Sequence, residues 1–220
     1  MFSARALFRT LFAVALLVWL PTRVLCAQTA RSATVGVIGG FSLTTLAGKD
    51  AADDLEGRTG ILAGLSVVFS FSSRTNLEVD GLYTKKGFRS TSATSTFDFV
   101  ATYIEVPLLL RIDLAPEARV RPFLSAGPAF SARFACEGTT TTTSTQYTLR
   151  CDELAARSGI NVMKTDLSGV ISGGLAIPAG RVDLTLATRY TIGFSSVIGN
   201  NDNHNRALSV YFGLARARSR

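Results

Sequence analysis

From about residue 34 onward, apolar and polar side chains alternate one by one along unusually long runs. The clearest sets Ile104, Val106, Leu108, Leu110 and Ile112 on one face and Tyr103, Glu105, Leu109 and Arg111 on the other. Period two is the signature of a strand whose faces meet different media. A second run sets Val182, Leu184, Leu186, Tyr190 and Ile192 against Asp183, Thr185, Ala187 and Arg189. A third sets Leu77, Val79 and Tyr83 against Glu78, Asp80, Thr84 and Lys86. Val120, Leu124, Ala126, Phe130 and Phe134 alternate with Arg121, Ser125, Gly127, Ser131 and Arg133. Leu167, Ile171, Leu175 and Ile177 alternate with Lys164, Asp166, Ser168 and Ser172. Three weaker runs, at 34–42, 59–70 and 206–215, bring the total to eight. The runs span about 11 to 17 residues, whereas strands of soluble proteins usually have about 5–6. Crossing a bilayer takes a tilted strand of about 9–11 residues.

The connections are expected to alternate in length. Long ones fall at 43–58, 89–96, 135–160 and 195–205, and short ones at 71–76, 113–119 and 178–180. An up-and-down barrel in an outer membrane produces this asymmetry, because periplasmic turns only reverse the chain while outer loops are free to grow. The fold expected is an all-β, eight-stranded antiparallel transmembrane barrel, preceded by a cleaved signal peptide. Pro107 sits inside the clearest run and predicts a bulge there. Frequent strand glycines, such as Gly64, Gly81, Gly127, Gly169, Gly173 and Gly174, suit the curvature of a small barrel.

The N-terminus has a different character. Arg5 and Arg9 precede ten consecutive apolar residues, Leu11 to Leu20, which Pro21 interrupts. Ten residues are too few for a spanning helix, so residues 1–27 read as a signal peptide and residues 28–220 as one barrel domain. Arg23 and Leu25 are the wrong neighbours for Cys26 to carry a lipid anchor. Removing 1–27 takes three arginines and no acid, so the net charge falls from +7 to +4. The remainder lacks a clustered basic stripe with aromatic partners, and nucleic acid is not an expected partner.

With eight strands the interior is just wide enough for side chains to fill it. The polar faces would then place Glu78, Asp80, Lys86, Glu105, Arg111, Arg121, Arg133, Lys164, Asp166, Asp183 and Arg189 in the lumen. Opposite charges are expected to neutralise one another there as a structural plug, since an unpaired buried charge costs several kcal/mol. The functional alternative is a narrow porin-like pathway for small solutes. Reversing the faces would instead give a soluble lipocalin-like carrier of an apolar ligand.

Other chemistry is sparse. Cys136 and Cys151 lie in one long loop of an exported chain, which favours a disulfide over free thiols or metal ligands. His204 is the sole histidine and lies near Asp202, Ser195 and Ser196. A nucleophile needs its base within hydrogen-bond reach, and the Asn-rich setting reads better as a solvated loop. No catalysis, metal or cofactor is expected. Asp50, Asp53, Asp54 and Glu56 make the first outer loop acidic without EF-hand spacing. The run GTTTTTST at 138–145 reads as an exposed loop tip.

The strings GLYTKKGF at 81–88, YIEVPLLLR at 103–111, RPFLSAGPAF at 121–130, ATRYTIGF at 187–194 and VYFGL at 210–214 resemble the PorT-like outer-membrane β-barrel family. The resemblance covers essentially all of the chain after the signal peptide. It implies an eight-stranded barrel in the outer membrane of a Gram-negative-type bacterium, with no established catalytic residues. The tail ARARSR after Leu214 departs from barrels that end on an aromatic residue, and is expected to trail into the periplasm. A monomer in outer-membrane lipid is expected, with loop 135–160 as the surface for an extracellular or envelope protein partner.

Overall fold

The computed structural model describes residues 32–47, 55–158, 163–196 and 203–216. The signal peptide, the acidic residues Asp50, Asp53 and Asp54, and Asp202 lie outside them. The strands are β1 (Ser32–Ala47), β2 (Leu55–Ser70), β3 (Thr75–Thr91), β4 (Ser95–Asp113), β5 (Arg121–Thr142), β6 (Gln146–Arg150), β7 (Thr165–Ala179), β8 (Val182–Gly193) and β9 (His204–Arg216). One helix, α1 (Cys151–Ser158), follows β6. Each wall strand pairs antiparallel with its neighbours, and β1 pairs with β9. The ring β1-β2-β3-β4-β5-β7-β8-β9 is a closed eight-stranded barrel, with β6 attached outside it to β5. Closure gives every wall strand a neighbour on both sides and removes the edges that a bilayer cannot tolerate.

The faces sort as the alternation predicts. Ile104, Leu108, Leu124, Ile171, Leu184 and Phe212 point outward and are exposed, while Glu78, Asp80, Glu105, Asp166 and Arg189 are buried within. This is the reverse of a soluble carrier barrel, whose apolar face lines the cavity. A buried charge needs a partner, and an outward leucine needs an apolar solvent. The membrane supplies the second.

Three sequence expectations are corrected. The connection at 89–96 is short: β3 and β4 leave only residues 92–94 between them, and the Ser92 hydroxyl donates to the Ser95 carbonyl at 3.0 Å. Cross-strand pairs zip this hairpin, with Phe88 stacked on Phe99 at 5.1 Å and Arg89 bound to Asp98 at 2.7 Å. The 114–120 connection at the other end is longer, so loop length does not alternate strictly.

Much of 135–160 is also ordered secondary structure. β5 continues through Thr142, turns, and returns as β6, with Thr139 and Thr148 hydroxyls 2.9 Å apart. Threonine is β-branched and favours strands, so the hydroxyl-rich run builds a hairpin, and the expected exposed tip is confined to residues 143–145.

Pro107 causes no register shift. It pairs with Ala129 on β5, and on its other side the β3 ladder passes from Val79↔Leu108 to Leu82↔Glu105 in unchanged register. The missing N–H falls in that gap. The shift in this ladder lies at Thr102/Tyr103 instead, opposite β5 residues Ala135 and Arg133, which bracket Phe134.

The other turns follow from local chemistry. Ser72 Oγ accepts the Thr75 N–H at 2.9 Å in the β2–β3 turn. Gly180 adopts φ 68° in the β7–β8 turn, a conformation glycine reaches without a Cβ penalty.

Candidate functional site: a charged lumen under a disulfide-pinned lid

The interior is layered along the barrel axis. At the centre Arg189 of β8 is 2% exposed. Its Nη2 donates to Asp80 Oδ2 at 2.6 Å and Glu78 Oε1 at 3.3 Å, both on β3. Its guanidinium also stands 5.0 Å from the Tyr211 ring, a cation–π arrangement that suits a desolvated arginine. Arg111 approaches Glu78 from β4 at 3.5 Å, holds Asp113 at 3.0 Å and lies 3.7 Å over the Phe123 ring. Asn76 donates to Asp113 and accepts from the Ser70 hydroxyl.

Towards the periplasmic turns Arg121 pairs with Asp183 at 3.4 Å, beside a cavity of about 80 Å³ that Glu78, Arg111 and Asp113 also line. Towards the outer end Lys86 binds Glu105, which also accepts the Ser131 hydroxyl at 3.3 Å. Asp166 accepts the Asn205 amide at 3.2 Å.

Two of the residues assigned to the lumen by alternation lie elsewhere. Lys164 precedes β7 and is exposed, outside the interior. Arg133 is half-buried at the outer rim, where its Nε donates to the Met163 carbonyl at 3.2 Å. The structure adds Asp113, Asn76, Asn205 and Tyr211 to the network. Asp113 was legible in principle, since it continues the 103-105-109-111 parity by one step.

Above the charged layers sits an apolar lid. Leu46, Phe88, Phe99, Ala101, Tyr103 and Cys151 form one buried cluster, with Phe97, Cys136 and Leu154 packed against it. Cys136 on β5 is disulfide-bonded to Cys151, the first residue of α1, with Cα atoms 5.5 Å apart. The bridge therefore holds α1 against the aromatic mouth. Asp152 and Glu153 occupy the first turn of α1, where the helix dipole favours them. The Arg150 N–H donates to Glu153 Oε2 at 3.2 Å, tying the helix start to β6. The β5–β6 hairpin itself is exposed at Tyr147 and Thr148.

The histidine site is described in part, since Asp202 lies outside the described residues. His204 Nδ1 meets the Ser195 carbonyl at 3.2 Å, while the Ser195 hydroxyl accepts the Leu167 N–H. Among the described residues no group of three metal-ligating side chains comes together.

Residues 26–199 match the family described as outer membrane protein beta-barrel domain, and the chain belongs to that family. It is a barrel of the outer membrane of a Gram-negative-type bacterium. No curated protein matches the chain. Among solved structures it is similar to Neisserial surface protein A (NspA), with 15% identity, TM-score 0.46, and 84% of this chain and 99% of that one covered. It is similar to OprG of Pseudomonas aeruginosa, with 12% identity, TM-score 0.46, and coverage of 87% and 99%. It is also similar to Ail, the attachment invasion locus protein of Yersinia pestis, seen in complex with the heparin analogue sucrose octasulfate, with 11% identity, TM-score 0.43, and coverage of 84% and 99%.

Proposed function

We propose that this member of the outer-membrane barrel family is a non-enzymatic structural or surface-interaction protein. It presents the segment 135–160 to an extracellular or envelope protein partner. The single observation that supports this reading is the division of labour around the Cys136–Cys151 bridge. On one side Cys151 is buried over the mouth, and on the other the β5–β6 hairpin stands exposed. A lid that only sealed the barrel would not need a protruding hairpin. The interior charges serve as a structural plug, and the barrel acts as a monomer after export removes residues 1–27. Within the family we assign the chain to the PorT-like branch, on the strings at 81–88 and 103–111.

A photo-crosslinking residue at Tyr147, introduced in intact cells, tests the interaction. The expected result is a discrete protein adduct that is absent when the same probe replaces Leu184 on the lipid-facing wall. Identical adduct patterns at both positions, or none at Tyr147, would overturn the reading.

A second reading, a narrow channel, draws on one observation. The cavity beside Arg121 and Asp183 is charged and opens toward the periplasmic turns. It is lined by Glu78 and Tyr211, the residues that flank Arg189, and this favours the plug.

A further inference from the structure

β2 and β3 lose register between Gly57 and Leu62, where the pairing jumps from Gly57↔Phe88 to Leu62↔Thr84. β1 remains paired with β2 throughout that stretch, from Thr44↔Arg58 to Phe41↔Ile61. The ladder is therefore interrupted on one side only, while the backbone at Gly60 stays close against the Lys85 carbonyl, where an added Cβ would lie 2.0 Å away. Thr44, 2% exposed, forms the floor of the gap. Its hydroxyl accepts the Gly87 N–H at 3.0 Å and lies 2.9 Å from the Gly87 carbonyl. The result is a notch of about 250 Å³, lined by Phe41, Ile61 and Val100 together with Arg58 and Lys85.

Phe41 is 68% and Ile61 44% exposed, so the apolar lining faces the lipid. Above it the outward face turns cationic. On β3 it runs Val79, Tyr83, Lys85 and Arg89 toward the outer end. Asp98 is engaged through both nitrogens that Arg89 directs at it, 3.1 and 2.7 Å away. Arg58 Nη1 is ion-paired with the other oxygen of Asp98 at 3.5 Å, too far for a hydrogen bond, and its side chain is about one-third exposed. Lys85 is exposed beside it.

We propose that this notch binds a phosphorylated outer-leaflet lipid, with an acyl chain against Phe41 and Ile61 and a phosphate oxygen on Lys85 and Arg58. The site lies where the apolar belt ends, so hydrocarbon and headgroup chemistry meet at one place. A soluble anion would have no use for the apolar half. The proposal is independent of any partner at the hairpin.

Native mass spectrometry of the full chain in micelles tests it, with lipid A as the phosphorylated probe, its dephosphorylated form, and inorganic phosphate. Wild type retains lipid A and loses the dephosphorylated form. Lys85→Gln weakens retention about tenfold, the loss of one charge-assisted contact. Lys85→Gln with Arg58→Gln weakens it further, while Lys164→Gln does not change it. Because Lys85 is exposed, Lys85→Gln also melts with wild type, which separates binding from folding. Equal retention of both lipids, an unchanged Lys85→Gln, or full displacement by equimolar inorganic phosphate would overturn the proposal.

Discussion

Arg189 on β8 donates to Asp80 on β3 at 2.6 Å, and these two strands stand opposite one another in the eight-strand ring. The pair therefore spans the lumen rather than lining it. Glu78 and Tyr211 flank the same guanidinium, so the crossing is held from three strands, β3, β8 and β9. This is where the plug reading puts its barrier to conduction, beneath the aromatic lid.

Removing Arg189 leaves two carboxylates buried without their main cation. Breaking such a pair by removing one partner costs about 3–5 kcal/mol. Arg189→Met is expected to lower the unfolding free energy of the refolded barrel by that amount, read from its urea transition. Arg189→Lys should recover only part of it, since a single ammonium cannot reproduce a planar fork.

The disulfide closes a segment with a sequence separation of 15 residues. In the entropic account such a bridge contributes about 3 kcal/mol. Cys136→Ser with Cys151→Ser is expected to lower the melting midpoint and to expose residues 146–158 to protease. The wall should remain intact, visible as an unchanged heat-modifiability shift.

Two glycines separate packing from propensity. A Cβ on Gly174 would lie 2.5 Å from Ala187 Cβ and 2.8 Å from the Phe123 ring, whereas one on Gly81 meets nothing within 4 Å. Gly174→Val is expected to destabilise by about 1–3 kcal/mol through overpacking. Gly81→Ala should stay within about 0.5 kcal/mol of wild type.

The outward wall can be probed directly. Leu184→Arg places a cation on the lipid face, with an expected cost of about 2–4 kcal/mol if it lies near the bilayer midplane. Lys164→Ala, outside the interior, is expected to change stability by less than about 0.5 kcal/mol. Unfolding in matched vesicles reads both.

The parity of each strand was legible because one solvent differs so sharply from the other. Ile104 and Glu105 could occupy only opposite faces. Period two gives a face but not a height, so nothing in the sequence showed that Arg189 would meet Asp80 rather than Glu105. Parity also carried Lys164 inward, although β7 begins one residue later. The run Thr139 to Thr142 is threonine at every position, so it shows no apolar contrast between its faces. Its signal was β-branching, which low-complexity composition hid. The notch at Gly57 to Leu62 left no mark that could be read, because a register shift depends on pairing between strands.

Single-molecule recording in planar lipid bilayers tests most directly whether the Arg189–Asp80 crossing closes the lumen. The account predicts silent membranes for wild type and discrete current steps for Arg189→Ala when Cys136→Ser and Cys151→Ser also loosen the lid. Reproducible steps from the intact wild-type barrel would contradict it.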